Sequence, residues 1–220
     1  MIPIHPHKPH APFPMALVNR RPWGAPNHEC VNVPQNEAWL AAIRNAKQKI
    51  FIQTPNLNAA PLLPALRAAA CRGIEVTYFV CMGYNDAGEL LPFQGGNNEM
   101  VAYELYKGMS EEHKKNLRIH YYVAKDQVFP IHNKFKARSC HSKLKLLKWG
   151  KYINTLPVKL MIVDEHVGIQ GNGNQDTQSW FHSMEVNIMI DSYDVCRDWL
   201  EQLRRNQSAC SSIAATQNNG

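Results

Sequence analysis

The 220-residue chain has no run of apolar residues approaching the roughly 18 that a membrane-spanning helix needs, so no span is expected. Its first residues, Met1-Ile-Pro-Ile-His-Pro-His-Lys-Pro-His, lack both a basic region and an apolar stretch, and no secretory signal is expected either. The six cysteines, Cys30, Cys71, Cys81, Cys140, Cys196 and Cys210, form no C-x-x-C pair and no zinc spacing. Buried reduced thiols in a reducing, cytoplasmic compartment are the reading, with no metal and no other cofactor. Acid is missing from residues 142–157, whose lysines Lys143, Lys145, Lys148 and Lys151 carry four of the chain's +6 charges. Only +2 remains elsewhere, so the basic balance is not evidence for a nucleic-acid partner. With 45% hydrophobic and 19% charged residues the composition is that of a globular protein.

His5, His7 and His10 alternate with prolines, which favours an extended tail over a metal site. Prolines continue to Pro26, and Arg20-Arg21-Pro22-Trp23-Gly24 reads as a loop, so residues 1–32 are expected to be a disordered, linker-like segment with order beginning near Cys30. From Pro34 helices and strands alternate. Asn36 reads as an N-cap before a helical stripe of Trp39, Leu40, Ile43 and Ala46. Ile50–Thr54 reads as a strand, Leu62–Ala70 as a helix stopped at Gly73, and Ile74–Cys81 as a strand. Tyr84–Asn98 reads as a long loop whose Gly95-Gly96 pair serves either turn chemistry or close approach of a phosphate or lipid headgroup. A helix from Met100, a strand at Leu117–Val123, a polar turn at Gln175–Ser183, a strand at Glu185–Ile190 and a helix from Ser192 complete the order, with a frayed tail over 207–220. The fold class expected is α/β, a mixed and mostly parallel sheet flanked by helices.

The most informative stretch is Val158–Asn174, in which Lys159, Asp164, Gly171 and Asn174 stand at the spacing K-x4-D-x6-G-x2-N between apolar strands. It resembles the active-site motif of the phospholipase D superfamily, H-x-K-x4-D-x6-G-[GS]-x-N, without the histidine: Pro157 occupies the nucleophile's position. His and Lys two apart on a strand share a face and converge on one phosphate, and proline cannot supply that chemistry. Upstream, however, lies Cys140-His141, followed by the lysine-rich block 142–157. Removing the block joins His141-Val158-Lys159 and restores the motif in register. The block also reads as translated intron: Ser142-Lys143 can encode a splice donor, Ile153-Asn154 a branch point and Pro157-Val158 an acceptor, and the interval is a whole number of codons. A retained intron is the leading reading and a natural basic insertion the alternative. Two further pairs, His132-Asn133-Lys134 and His141-Ser142-Lys143, lack the downstream aspartate and are decoys.

The resemblance covers about Val33–Arg205 and implies a phospholipase D-like half-domain over 33–206. It implies a covalent phosphohistidine route without metal, with His141 as nucleophile or general acid. Lys159 and Asn174 would stabilise the phosphoryl oxygens, and Gly171 and Gly173 would shape the turn that binds substrate. Glu185 would orient a histidine across the site, while Asp164 ties down the turn between the two strands. Asn172 stands where the family carries Gly or Ser. One motif is half a site, so the partner is a second motif, from a missing N-terminal half or from a homodimer. The expected activity is a phosphodiesterase or phosphatidyl transferase acting on phospholipid at the membrane periphery, since Thr54-Pro55-Asn56 and Arg72-Gly73-Ile74-Glu75-Val76 resemble lipid enzymes. A phosphodiesterase of nucleic acid and an inactive fragment or binding module are the alternatives.

Overall fold

The computed structural model describes residues 9–22, 32–125, 130 and 158–207. The block 142–157 and His141 lie outside them, as do the decoy pairs and the tail beyond Gln207. The described strands are β1 (Met15–Arg20), β2 (Lys49–Gln53), β3 (Glu75–Val80), β4 (Leu117–Tyr121), β5 (Leu160–Val163), β6 (Val167–Gly171) and β7 (Glu185–Asp191). The helices are α1 (Pro34–Asn45), α2 (Leu62–Cys71), α3 (Asp86–Glu89), α4 (Asn98–Tyr106), α5 (Glu111–Lys114), α6 (Thr177–Phe181) and α7 (Tyr193–Asn206). The strands make one sheet in the order β1-β7-β6-β5-β2-β3-β4.

The mixed α/β architecture is as expected, but the balance of directions is not. Among the described strands only β2–β3 and β3–β4 pair parallel, while β1–β7, β2–β5, β5–β6 and β6–β7 pair antiparallel. Connection length accounts for part of this: β2-α2-β3 and the segment through α4 to β4 are long enough for crossovers, whereas a tight turn joins β5 to β6.

Two apolar layers cover the sheet. On one face Met161, Ile169, Ile52, Val76 and Tyr78 meet α1 and α2 through Trp39, Ile43, Leu62 and Leu66. On the other, Leu160, Ile162 and Ile190 meet Val195, Cys196 and Leu200 of α7, the helix that Ser192 caps by accepting from the Val195 N–H. Gly168 lets α7 come close, since a methyl there would sit 2.8 Å from Trp199 and 3.0 Å from the Cys196 sulfur. Cys196 is buried, its thiol pushed up to about 12 by that burial. Cys71 is exposed, contrary to the expectation of uniformly buried thiols.

Two local expectations change. The segment expected to be linker contains β1, which joins the sheet at β7 with Arg20 opposite Glu185. Asn36 is not the N-cap: Val33 holds that position with Pro34 at the start of the helix. Asn36 lies buried in the first turn and donates to the Trp180 carbonyl at 2.9 Å, beside Gln35, which donates to the Ser179 carbonyl at 2.9 Å. The polar opening of α1 therefore pins α6.

Candidate functional site

Register decides which side chains can meet. Leu160 pairs with Gln170 and Gly171 with Asn187, so Lys159, just before β5, stands in a row with Gly171, Asn187 and Val18. The Gly171 N–H donates to the Lys159 carbonyl at 3.4 Å. Successive residues alternate faces, which puts Lys159, Asn187, Glu185 and Arg20 on the face that carries α1 and α6. This is the end of the sheet where β5 begins and β6 finishes.

Glu185 is buried, at 5% exposure. One carboxylate oxygen accepts from Ser179 Oγ at 2.7 Å, and the other has no hydrogen-bond partner among the described residues. Burial pushes its carboxyl above the usual range, against the Ser179 hydrogen bond and the positive charges of Lys159 and Arg20, with Asp176 adding to the rise. Half-buried Lys159 shows the complementary effect: burial lowers its ammonium, opposed by Glu185, Asp176 and Cys81. These two groups and Asp176 share one electrostatic environment. Arg20, only 1% exposed, donates to the Phe181 carbonyl and so ties the edge strand to α6.

The turn after β6 delivers Asn174 and Asp176. Asn174 donates its amide to Asp176 at 2.9 Å and its backbone N–H to Ser179 Oγ at 3.1 Å, while its own side-chain oxygen is buried without a partner among the described residues. Asp176 caps α6 by accepting from the Ser179 N–H at 2.8 Å. Ser179 thus joins three parts of the site, as acceptor from Asn174, donor to Glu185 and capped residue of Asp176. Half-buried Tyr84 comes in from the facing loop; burial raises its phenol, with the Asp176 charge adding and a hydrogen bond to Asn174 opposing.

The glycines have packing reasons. A methyl at Gly171 would collide with the Asn187 amide and the Val186 carbonyl, and one at Gly173 would sit 2.8 Å from the Gln35 side-chain oxygen. The Gly173 N–H donates to Asn187 at 3.2 Å. Asn172 accepts from the Val186 N–H at 2.7 Å, which directs its side chain to β7. Gly95 at φ +94° closes on the Asn58 carbonyl, where a methyl would come within 2.8 Å.

Asp164 belongs to a different place. It sits five residues from Lys159 at the far end of β5, about 16 Å along an extended chain. There its carboxylate accepts from the Lys47, Gln48 and Lys49 N–H groups, each at 2.9 Å. Burial pulls its carboxyl upward, but the three donors outweigh that and hold it below the usual range. Asp164 fixes the α1–β2 connection and the β5–β6 turn, at the opposite end of β5 from Lys159.

Of the residues singled out from the sequence, Lys159, Gly171, Gly173, Asn174 and Glu185 come together; Asp164 does not, and His141 lies outside the described residues. Arg20, Tyr84, Asp176 and Ser179 were missed. Asp176 carried a usable signal, an aspartate at a helix N-cap position. Arg20 carried none, because β1 buries Val18 and Arg20 while leaving Met15 and Leu17 in solvent. Among the described residues no group of three or more His, Cys, Asp or Glu could hold a metal, and no helix is long and apolar enough to cross a membrane.

Comparison with solved structures finds the same fold at low identity. NucT from Helicobacter pylori aligns with a TM-score of 0.59 at 14% identity, over 91% of this chain and 99% of its own. Nuc from Salmonella typhimurium, a phospholipase D family member, aligns at 0.55 and 15% over 90% and 97%. Phosphatidylserine synthase from Haemophilus influenzae aligns at 0.59 and 11% over 91% of this chain but 40% of its own. Comparison with curated protein sequences gave no match. The family described as cardiolipin synthase, phospholipase D-like domain, matches residues 39–206, and the chain therefore belongs to that family.

Proposed function

We propose that this chain supplies one motif of a phosphodiester-cleaving or phosphatidyl-transferring site that acts on phospholipid. The observation that carries the proposal is the convergence of Lys159, Asn174 and Glu185 at one end of the sheet. There Glu185 and Asn174 each keep a buried oxygen with no partner among the described residues. The Lys159 ammonium and the Asn174 amide would neutralise charge on the phosphoryl oxygens, which in a half-buried site counts for more than in water. The bare Glu185 oxygen would accept the ring N–H of a histidine and stabilise its imidazolium form. His141, brought beside Lys159, would attack phosphorus and break its bond to the alcohol oxygen, which a histidine of the second motif would protonate; that histidine would then take a proton from water or a second alcohol as it attacks phosphorus and frees His141.

The second motif comes from another copy of the chain or from a further half. With Pro157 beside Val158 in place of the histidine, the chain as written is expected to turn over little or no substrate. The test is a variant lacking residues 142–157, assayed on phospholipid vesicles and on single-stranded DNA beside the full-length chain. Vesicle hydrolysis that appears with the deletion and disappears in His141→Ala or Lys159→Ala supports the proposal. Cleavage of DNA alone transfers the site to nucleic acid, and silence on both leaves a binding module. Sequencing the source transcript across Cys140–Lys159 decides independently whether the block belongs to the protein.

A further inference from the structure

The loop facing the site ends in an unusual tip. Leu90, Leu91 and Phe93 are 56%, 61% and 83% exposed, and Met100, whose side chain lies against Gly96, is 52% exposed. Phe93 also holds a left-handed backbone, φ +67°, which a bulky residue rarely adopts. The chain thus places the most exposed aromatic ring among the described residues in a conformation that itself costs free energy.

The tip is held rigidly. The Leu91 N–H donates to the Gly88 carbonyl at 3.1 Å, Gln94 to Leu91 at 3.2 Å and Gly96 to Glu89 at 3.0 Å. Beneath it the buried Glu89 carboxylate accepts amide N–H groups from Asn56, Asn58 and Asn85 at 3.2, 2.5 and 3.0 Å. Both feet of the loop stand in the site: Tyr84 meets Asn174, and Gln94 accepts from Thr177 Oγ1 at 3.0 Å and from Gln178 at 2.9 Å. The apolar tip is therefore fixed to the rim of the phosphate site.

We propose that the Leu90–Phe93 tip, with Met100, is a wedge that enters the apolar layer of a lipid surface and sets the site at headgroup level. The proposal rests on the phospholipid reading. Interfacial apolar groups bury about 5–10 Å into the headgroup boundary, a depth within reach of a projecting four-residue tip. The stretch from Leu90 to Asn98 holds no Lys or Arg, whereas a nucleic-acid surface is bound chiefly by cations on phosphates. A stable protein partner needs an interface of roughly 1,000 Å² or more, far larger than a convex tip of a few side chains.

The experiment is flotation of the full chain with phosphatidylcholine vesicles in high salt, which removes simple charge attraction. Leu91→Ser/Phe93→Ser is compared with wild type and with Met15→Ser/Leu17→Ser, which removes two well-exposed apolar groups from the opposite edge of the sheet; circular dichroism checks folding. Wild type and the β1 variant are expected to float alike, and the tip variant to partition at least about tenfold more weakly. Equal partitioning of all three proteins, or no flotation of wild type, overturns the wedge. So does a tip-dependent retention of single-stranded DNA without flotation, which would make Phe93 a base-stacking residue. Hydrolysis of soluble bis-p-nitrophenyl phosphate by the deletion variant separates the two ideas. Activity without flotation removes the wedge and keeps the phosphodiesterase, and tip-dependent flotation without activity keeps the wedge and removes the phosphodiesterase.

Discussion

Glu185 is kept buried with one carboxylate oxygen unpartnered among the described residues, and that has a consequence in pH. Its folded-state carboxyl titrates above the usual glutamate value of 4.5, chiefly through burial. The folded protein therefore holds this proton more tightly than the unfolded chain. As pH rises past about 4.5 the unfolded chain ionises first, so the Glu185 contribution to stability falls until pH passes the raised folded value, and is constant beyond it. Glu185→Gln keeps an acceptor for Ser179 and removes the buried charge. It is expected to raise stability at neutral pH by about 0.5–2 kcal/mol and to flatten the fall, while abolishing turnover of the deletion variant. Urea unfolding of both proteins across the acid to neutral range checks this, and an unchanged pH slope would refute it. Lys159 sets the other limb. The role proposed for it requires the ammonium, and burial holds its titration below the usual 10.5, so activity of the deletion variant is expected to decline with rising pH before an exposed lysine would lose its proton. A rate that stays flat to pH values above 10.5 would exclude Lys159 as the charged group.

Among the elements, the β5–β6 turn shows best how motif spacing serves architecture. The His166 N–H donates to the Val163 carbonyl at 3.0 Å, and the two residues between, Asp164 and Glu165, hold φ of 51° and 56°. Such a mirror-type turn matches strand twist but favours Asn-Gly. Asp164 tolerates it because its carboxylate gathers three backbone donors from the α1–β2 connection. Asp164→Ala is expected to cost about 1–3 kcal/mol by chemical denaturation with little change in substrate affinity. The loss has a stated pH window. A depressed folded carboxyl adds stability above the unfolded value, near 3.8, and loses it as pH falls through the folded value, so wild type and variant should converge in acid. The motif aspartate was legible in sequence as a turn anchor because strand, turn and strand are contiguous there. The same contiguity made β2-α2-β3 legible, whereas the direction of β5 beside β2 was not, since their pairing joins segments 107 or more residues apart across a stretch with no local signal. Asn36 failed as a cap for a related reason: its partner, the Trp180 carbonyl, lies 144 positions away, and a side chain committed to a distant contact leaves no local mark.

At the scale of the molecule, the edge strand β1 decides whether the site is complete. It covers β7, which would otherwise be the exposed edge, and it brings Arg20 opposite Glu185. Its sequence hides this, since apolar Met15 and Leu17 face solvent while a charged residue goes inside, the reverse of the alternation by which strands are recognised. Truncation of residues 1–22 is therefore expected to act at a distance. Removing the Arg20 charge takes away one influence that holds Glu185 down, so the carboxyl should rise further and less of it be ionised to orient a histidine near neutral pH. The rest of the fold keeps both apolar layers apart from Val18 in one and Phe13 against the other, so the truncated chain should still fold, with a lower denaturation midpoint and a tendency to associate through β7. Arg20→Met within the full-length chain separates the two effects: it retains the strand and removes the charge. If Arg20→Met shifts the acid limb of the deletion variant's pH–rate profile upward while the protein stays monodisperse, β1 acts on the site electrostatically. If only the truncation changes the profile, β1 serves the site by covering the edge, and Glu185 owes its ionisation to Lys159 and Ser179.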